Sequence, residues 1–218
     1  MKNKLVVILI LLVSLLLTSA AVSYAQPAAP VVERAGQSGR HCIAEAQVGT
    51  DDTAADATLP AEEAPAPAAT CFGTFAEALG AVTGAPAGID PNIKPADVTD
   101  AMLSSLAQQA QAFAPAPMAT SVLSIEYSGS GYSGASLTFY VSNSVGCYYD
   151  NYYFSSTAPS GWNDRVSSSR GYSGCGAIYH FEHSNYGGAV LRCNACSSYG
   201  AMDNRTSSWR FYRTSPHY

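Results

Sequence analysis

Positive charge and known catalytic motifs are scarce in this chain, and both absences limit its function. Lysine and arginine together number 11 among 218 residues, and they do not gather into a basic patch. Such a patch is the usual footprint of nucleic-acid binding, so we expect no nucleic-acid partner. The chain also lacks G-x-S-x-G, H-E-x-x-H and papain-like cysteine motifs. These absences argue against the common hydrolases, and we expect that the protein is not an enzyme.

A zinc or redox centre is disfavoured because the chain has only one motif of the required kind. Cys193 and Cys196 form a C-x-x-C motif, but there is no second one and no histidine pair at zinc-ligand spacing. The cysteine count is 6, and an even count in a secreted chain indicates disulfides. Three pairings are open for the four C-terminal cysteines. A hairpin centred near Ser184 favours Cys175 with Cys193 or Cys196.

The first 25 residues have the pattern of a secretory signal peptide. Lys2 and Lys4 precede an apolar run over Leu5–Leu17, and small residues at Ser23 and Ala25 predict cleavage before Gln26. A retained anchor is the alternative. No cysteine follows the apolar run, so a lipid anchor is disfavoured, and no later run is long enough to span a bilayer. We therefore predict a secreted, extracellular protein with no membrane span after cleavage.

Residues 26–118 are rich in Ala, Pro and acids, and they read as a separate region of helix and linker. Asp51–Ala69 has almost no large apolar residue, and it is bracketed by Cys42 and Cys71, which would close a loop if they pair. Thr74 and Glu77 have the spacing of a capping box at the start of a short helix. A second helix is predicted over residues 97–113 before an Ala-Pro hinge.

Residues 119–218 form a β domain by composition. Thirteen of the 14 tyrosines lie here, and short aromatic or β-branched runs alternate with turn residues. Strands of this length and spacing predict an antiparallel sandwich. The tyrosines at 148, 149, 152 and 153 suit sugar stacking, but a strand with core and surface positions is the favoured interpretation.

Two six-residue stretches repeat at a forty-residue offset. Asn163–Ser168 reads NDRVSS and Asp203–Ser208 reads DNRTSS, and Gly131–Gly134 recurs as Gly171–Gly174. The offset predicts two tandem units, residues 131–170 and 171–212. Asp, Asn and Ser supply the oxygen ligands that calcium prefers. A plain surface turn is the alternative for one copy, and the duplication favours ion binding.

Phe181, Tyr186 and Gly188 add an aromatic-xxxx-aromatic-x-Gly hairpin before the second stretch. With the two N/D-N/D-x-x-S-S stretches, residues 119–212 resemble the calcium-binding microbial members of the βγ-crystallin superfamily. The resemblance implies an all-β, double Greek-key sandwich, preceded here by a small helical and linker region. The first key departs from the pattern, because Tyr140 is followed by Val145 and Cys147 where an aromatic and a glycine are expected.

The same resemblance implies two calcium sites, each built from both keys. One would use Ser167, the Asn204 side chain, the Arg205 carbonyl and a carbonyl near Asn143. The other would use Ser207, the Asp164 side chain and the carbonyls of Arg165 and Ser184, while Asn163 and Asp203 shape the loops. Asp164 and Asp203 are the only two carboxylates for two ions, which indicates weak calcium binding with a Kd of about 10⁻⁴ to 10⁻³ M.

A second function remains open, because small secreted metalloproteinase inhibitors share this Greek-key fold and its heavy use of disulfides. An extracellular protease is then the partner. A cell-envelope or matrix component stabilised by calcium is a third possibility. His180 and His183 flank Phe181, and we expect both to be exposed hairpin residues with no catalytic role.

Overall fold

The computed structural model describes residues 40–49, 66–85, 88–113, 120–143, 145–148 and 152–213. The predicted signal peptide lies outside these ranges. The described chain is mostly β, with 11 strands in two sheets and two α-helices. The strands are β1 (His41–Glu45), β2 (Gln47–Val48), β3 (Ala69–Phe72), β4 (Ser121–Gly129), β5 (Ser133–Val141), β6 (Tyr153–Ser155), β7 (Ser168–Gly171), β8 (Cys175–Phe181), β9 (Val190–Cys193), β10 (Ala195–Cys196) and β11 (Ser208–Arg213). The helices are α1 (Phe75–Thr83) and α2 (Asp100–Phe113).

The strand order confirms the predicted double Greek key. Sheet 1 has the order β10-β7-β4-β5-β1-β3, and sheet 2 has the order β2-β6-β11-β8-β9. Strands β4 to β7 form the first key and β8 to β11 the second. The third strand of each key lies in the sheet that contains the other three strands of its partner key. Sheet 1 therefore holds β10 of the second key beside β7, β4 and β5, and sheet 2 holds β6 of the first key beside β11, β8 and β9. The two keys are therefore related by a pseudo-twofold axis, and neither completes its sheet alone.

The N-terminal region contributes strands to both sheets, which the sequence did not predict. β1 pairs in parallel with β5 and antiparallel with β3, while β2 pairs with β6. Cys42 lies directly opposite Cys71 in the ladder, and these two cysteines form a disulfide. The three strands are short, and their pairing partners lie far away in sequence, so local pattern alone favoured loop and helix. The predicted region 26–118 thus shares its sheets with the rest of the chain.

Two hydrophobic cores result. One fills the space between the sheets, and it contains Trp162 and Trp209, which are almost fully buried. The other lies between sheet 1 and the helices, where Leu79 and Leu103 pack against Val122 and Ile125. Strand β4 is therefore buried on both faces. None of the helices in the described ranges combines the length and apolar character needed to cross a membrane.

The predicted start of α1 is confirmed. The Thr74 hydroxyl accepts a hydrogen bond from the Glu77 amide at 3.2 Å, and the Glu77 carboxylate accepts one from the Thr74 amide at 2.9 Å. This reciprocal pair satisfies two amides that a helix start leaves without partners. Gly84 ends the helix with a φ of 68°, which glycine adopts without steric cost.

All six cysteines form disulfides, but one favoured pairing is wrong. Cys175 bonds to Cys147, not to Cys193 or Cys196, which bond to each other. The Cys147 amide donates to the Ser173 carbonyl at 3.0 Å, so residues 145–148 lie beside the start of β8. Cys193 instead lies opposite Ile178, further along the strand. The C-x-x-C motif is therefore a disulfide, and it sits where the chain crosses from sheet 2 to sheet 1.

Candidate functional site

Both keys carry an intact folded hairpin, which corrects the sequence interpretation of the first key. Its hairpin joins β4 to β5 and follows the same pattern as the second, with an aromatic, an aromatic five residues later and a glycine two residues after that. The equivalent residues are Tyr127, Tyr132 and Gly134 in the first key and Phe181, Tyr186 and Gly188 in the second. In each hairpin the two aromatic ring centroids are 5.5 Å apart. The assignment of the first hairpin to Tyr140, Val145 and Cys147 is wrong.

The glycine is required by the turn. Gly188 has a φ of 76°, and a Cβ there would lie 2.8 Å from the His183 ring and 2.9 Å from the Glu182 Cβ. Gly134 has a φ of 83°. Only glycine tolerates both the left-handed backbone and this close approach.

The first hairpin was assigned wrongly because the forty-residue offset of the repeat does not apply to the hairpins. Gly131–Gly134 spans the end of the first key's hairpin turn and the start of β5, whereas Gly171–Gly174 runs from the end of β7 towards β8, so the two segments are not structurally equivalent. Tyr127 and Phe181 are equivalent at an offset of 181 − 127 = 54. The pattern Tyr127-x-x-x-x-Tyr132-x-Gly134 is present in the sequence, and it marks this hairpin independently of the forty-residue repeat.

The two six-residue stretches face each other with reciprocal geometry. Asp164 and Asn204, at position two of each stretch, have φ values of 53° and 54°. The Asp164 amide donates to the Thr206 carbonyl at 3.1 Å, and the Asn204 amide donates to the Val166 carbonyl at 3.0 Å. Each stretch thus presents its position-two side chain to the serine of the other.

Each of these serine hydroxyls has two further oxygen atoms close to it, so three oxygens come together at each position. The Ser207 hydroxyl lies 2.7 Å from the Glu182 carbonyl oxygen and 3.4 Å from Asp164 Oδ1. The Ser167 hydroxyl lies 3.3 Å from the Ser128 carbonyl oxygen and 3.4 Å from Asn204 Oδ1. We call these the Ser207 cluster and the Ser167 cluster. Both serines are buried, while Asp164 and Asn204 are exposed, so each cluster opens to solvent on one side.

The hairpin carbonyls differ from those expected. Glu182 and Ser128 occupy the positions for which the sequence indicated Ser184 and a residue near Asn143. Ser184 is exposed and lies in a short 3-10 turn, two residues beyond Glu182. Asn143 lies at the opposite end of β4, where its carbonyl accepts a hydrogen bond from Ser121 at 2.8 Å. In the first key the reason is the hairpin assignment, because the hairpin begins at Tyr127 and not at Tyr140.

The position-one residues orient their neighbours. The Asn163 side-chain amide donates to Asp164 Oδ2 at 2.7 Å, and the Asn204 side-chain amide donates to Asp203 Oδ2 at 3.2 Å. The second contact turns the Asn204 amide nitrogen towards Asp203, which leaves its oxygen for Ser167. Asn163 and Asp203 therefore shape the loops.

The two arginines at position three brace the loops. Arg165 donates to the Gly161 carbonyl at 3.2 Å and its guanidinium lies 5.1 Å from the centre of the Trp162 ring. Arg205 donates to the Ala201 carbonyl at 3.2 Å and forms an ion pair with Glu182. The Ala189 amide and then Arg205 lower the pKa of Glu182, so this carboxyl is ionised at neutral pH.

Among the residues that the structure describes, no three His, Cys, Asp or Glu side chains form a group that could hold a metal ion. The two serine clusters are of another kind, made of hydroxyl, amide or carboxylate, and carbonyl oxygens. Two oxygens that bind one calcium ion at 2.3–2.6 Å in adjacent positions are about 3 Å apart. The spacings of 2.7–3.4 Å in both clusters fit that chemistry.

A third polar group lies between the sheets. Glu126 is fully buried, and its carboxylate lies 2.6 Å from Ser124 Oγ, 2.9 Å from Tyr199 Oη and 3.1 Å from His180 Nε2. His180 is itself fully buried, so the expectation that it is exposed is wrong; His183 is exposed. Residues of β8 alternate between two faces, and His180 faces the inter-sheet core while Tyr179 faces outward. Because Glu126 belongs to the first key and His180 and Tyr199 belong to the second, this group is a polar link between the keys.

A solved structure described as a betagamma-crystallin from an Archaea aligns with this chain at 26% identity. The alignment covers 42% of this chain and 98% of that one, with a TM-score of 0.30. No family model matches the chain, and no curated protein matches it. The double Greek-key arrangement follows from this chain's own strand order.

Proposed function

We propose that the protein is a secreted calcium-binding protein whose two ions bind at the Ser207 and Ser167 clusters. The observation that supports this most is the reciprocal geometry of the two stretches. At each cluster a buried serine hydroxyl of one stretch lies 2.7–3.4 Å from a hairpin carbonyl oxygen and from the position-two side-chain oxygen of the other stretch. A turn that only reversed the chain would not need the same three oxygens from two keys.

In this proposal, calcium joins the keys. Serine and hairpin carbonyl come from one key, while the position-two side chain comes from the other, so each ion ties the two keys together. The Arg165 and Arg205 carbonyls and water complete the coordination. Three disulfides in the described chain suit an oxidising extracellular compartment. The biological use is stabilisation of an extracellular or cell-envelope protein.

The two clusters differ in charge, and we expect them to differ in affinity. The Ser207 cluster contains the Asp164 carboxylate, whereas the Ser167 cluster has the neutral Asn204 amide in the same place. Ligand charge strengthens calcium binding. The Ser207 cluster is therefore the tighter site.

The pseudosymmetry allows a direct test by exchanging these two side chains. Calorimetric titration of residues 26–218 with calcium should show two sites of unequal affinity. Asp164→Asn should weaken the tighter site, Asn204→Asp should strengthen the weaker one, and the double variant should restore two unequal sites. Asp90→Ala removes a carboxylate that bonds only locally, to the Asn92 amide, and serves as the charge control. If these variants all titrate like the parent, the clusters do not bind calcium.

Thermal unfolding supplies an independent measurement. With a Kd of about 10⁻⁴ M and calcium near 10⁻² M, each site adds roughly 2.7 kcal/mol to the free energy of unfolding. For a folding unit of this size, that raises Tm by about 5–11 °C per site. Magnesium requires a tighter octahedral shell and should do much less. Equal midpoints in chelator, calcium and magnesium would instead favour protease inhibition, which a screen against metalloproteinases would test.

A further inference from the structure

The second key crosses between the two sheets in a single residue. β9 ends at Cys193 in sheet 2, and Asn194 alone separates it from β10 in sheet 1. The equivalent strands of the first key, β5 and β6, are separated by residues 142–152. Cys193 and Cys196 form a disulfide across the short crossing. We call residues 194–204 the crossing segment, because they lead from this disulfide to the Ser167 cluster.

Main-chain hydrogen bonds join the crossing segment to the serine of that cluster. The Tyr199 amide donates to the Ser167 carbonyl at 2.9 Å, and the Asn204 amide donates to the Val166 carbonyl at 3.0 Å. The Asn204 side chain supplies the oxygen that lies 3.4 Å from the Ser167 hydroxyl. The position of the crossing segment therefore fixes two of the three oxygens in the cluster.

The third oxygen depends on the same segment. The Ser128 carbonyl belongs to the first hairpin, and Gly131 in that hairpin donates its amide to the Ser197 carbonyl at 2.6 Å. At the start of the segment, Cys196 pairs with Ser169 of β7. The disulfide thus lies at one end of a continuous set of contacts that reaches all three oxygens.

The Ser207 cluster has no equivalent link to a disulfide. Its position-two side chain, Asp164, follows β6, and residues 148–174 contain no cysteine. The Ser207 amide donates to the Phe181 carbonyl at 2.8 Å, at the end of β8. The disulfide of Cys175 lies at the opposite end of that strand. One of the two proposed calcium sites is therefore tied to a disulfide, and the other is not.

The disulfide between Cys193 and Cys196 is also the one best suited to reversible reduction. It closes a loop at a sequence separation of 3, against 28 and 29 for the other two. A short loop restricts the unfolded chain least, so opening this disulfide costs the folded protein least. Cys196 is partly exposed, whereas Cys147 and Cys175 are both buried. The protein thus offers a reductant a partly exposed cysteine at the disulfide whose loss is tolerated best.

We propose that the Cys193–Cys196 disulfide is a redox switch for the calcium site at the Ser167 cluster, an inference that rests on the function proposed above. The reductant is an extracellular dithiol. Its thiolate attacks Cys196 Sγ, and Cys193 leaves as a thiolate that takes up a proton. The second thiol of the reductant then displaces Cys196, which is protonated in turn. Two electrons and two protons pass to the cysteines, and the dithiol becomes a disulfide.

Reduction releases the crossing segment at its start. β10 is only 2 residues long, so the strand pairing that remains there is short. Part of the order of the segment must then be established when calcium binds. The free energy spent on that ordering is lost from binding, which weakens the Ser167 cluster and leaves the Ser207 cluster unchanged.

Single-site variants of residues 26–218 isolate the two clusters in calcium calorimetry. Ser207→Arg places a cation in one cluster and leaves the other intact, and Ser167→Arg does the reverse. Changing Cys193 and Cys196 to Ala should raise the calcium Kd of the Ser207→Arg protein by about fivefold or more. The same change should alter the Kd of the Ser167→Arg protein by less than about twofold.

The matched control changes Cys147 and Cys175 to Ala, which removes the disulfide at the opposite end of β8 and should alter neither Kd by more than about twofold. The unmodified protein gives a second measurement, which decides alone if the alanine variants do not fold. Equilibration with dithiothreitol, alkylation and mass mapping should show the Cys193–Cys196 disulfide reduced first. Because coupling is reciprocal, saturating calcium should make it harder to reduce by the same factor, and tenfold corresponds to about 30 mV.

The outcomes separate this inference from the proposed function. No calcium binding in the parent or in either single-site variant would refute the proposed function and this inference together. Calcium binding that survives loss of the Cys193–Cys196 disulfide unchanged, or that weakens equally at both clusters, would overturn the switch and leave the proposed function standing. Reduction of another disulfide before this one, or reduction that is indifferent to calcium, would overturn it as well.

Discussion

Removing one member of the buried Glu126–His180 pair should lower this protein's stability substantially, whereas removing both members should lower it much less. His180→Leu removes one of three donors to a carboxylate that has no contact with solvent. Glu126→Leu removes the acceptor for all three. The double variant replaces a buried polar pair by two apolar side chains that suit the surrounding core.

The magnitude follows from the burial of both groups. Leaving a buried hydrogen-bonding group without its partner costs about 1–3 kcal/mol, whereas replacing both partners by apolar groups of similar shape is nearly neutral. At about 2–4 °C per kcal/mol, His180→Leu should lower Tm by roughly 2–12 °C. The double variant should be less destabilised than the sum of the two single variants by about 0.5–3 kcal/mol.

Urea unfolding followed by tryptophan fluorescence is the suitable assay, because Trp162 and Trp209 lie in the same core and are 1% and 0% exposed. His183→Leu is the matched control, since this exposed histidine lies three residues along the chain and should change the free energy of unfolding by less than about 0.5 kcal/mol. Additive losses in the double variant, or a His180→Leu protein as stable as the parent, would refute the reasoning.

Three further predictions concern disulfides, a glycine and pH. Replacing Cys147 and Cys175 by Ala opens a loop with a sequence separation of 28 and should cost roughly 3–4 kcal/mol, against about 2 kcal/mol for Cys193 and Cys196 at a separation of 3, as urea titration can compare. Gly188→Ala should destabilise more than Gly131→Ala in thermal melts, because both have positive φ but only Gly188 meets other atoms; equal losses would contradict this. Burial raises the folded-state pKa of the tyrosines at 127, 172 and 199, so stability is fully present below pH 10 and falls as pH rises above it. Ultraviolet titration should show late-ionising tyrosines, and a single transition near pH 10 for all of them would be the contrary result.

The sequence by itself determined the features whose physical cause is local. The capping box of α1, the hairpin at Phe181, Tyr186 and Gly188, and the two six-residue stretches depend on hydrogen bonds and backbone angles within a few residues. Their residue types therefore predict them directly. Alternating aromatic runs were enough to predict an all-β sandwich, because one face of each strand must be buried.

The tertiary structure decided everything that depends on distant residues. Strand exchange between the keys places Ser207 beside Asp164 and Glu182, and pairs Cys175 with Cys147. The same packing buries His180 against Glu126 and adds β1 to sheet 1. No local pattern marks these contacts, since each is one of many pairings that the same side chains allow. The choice among them is made by the burial of a common core, which is a property of the whole chain.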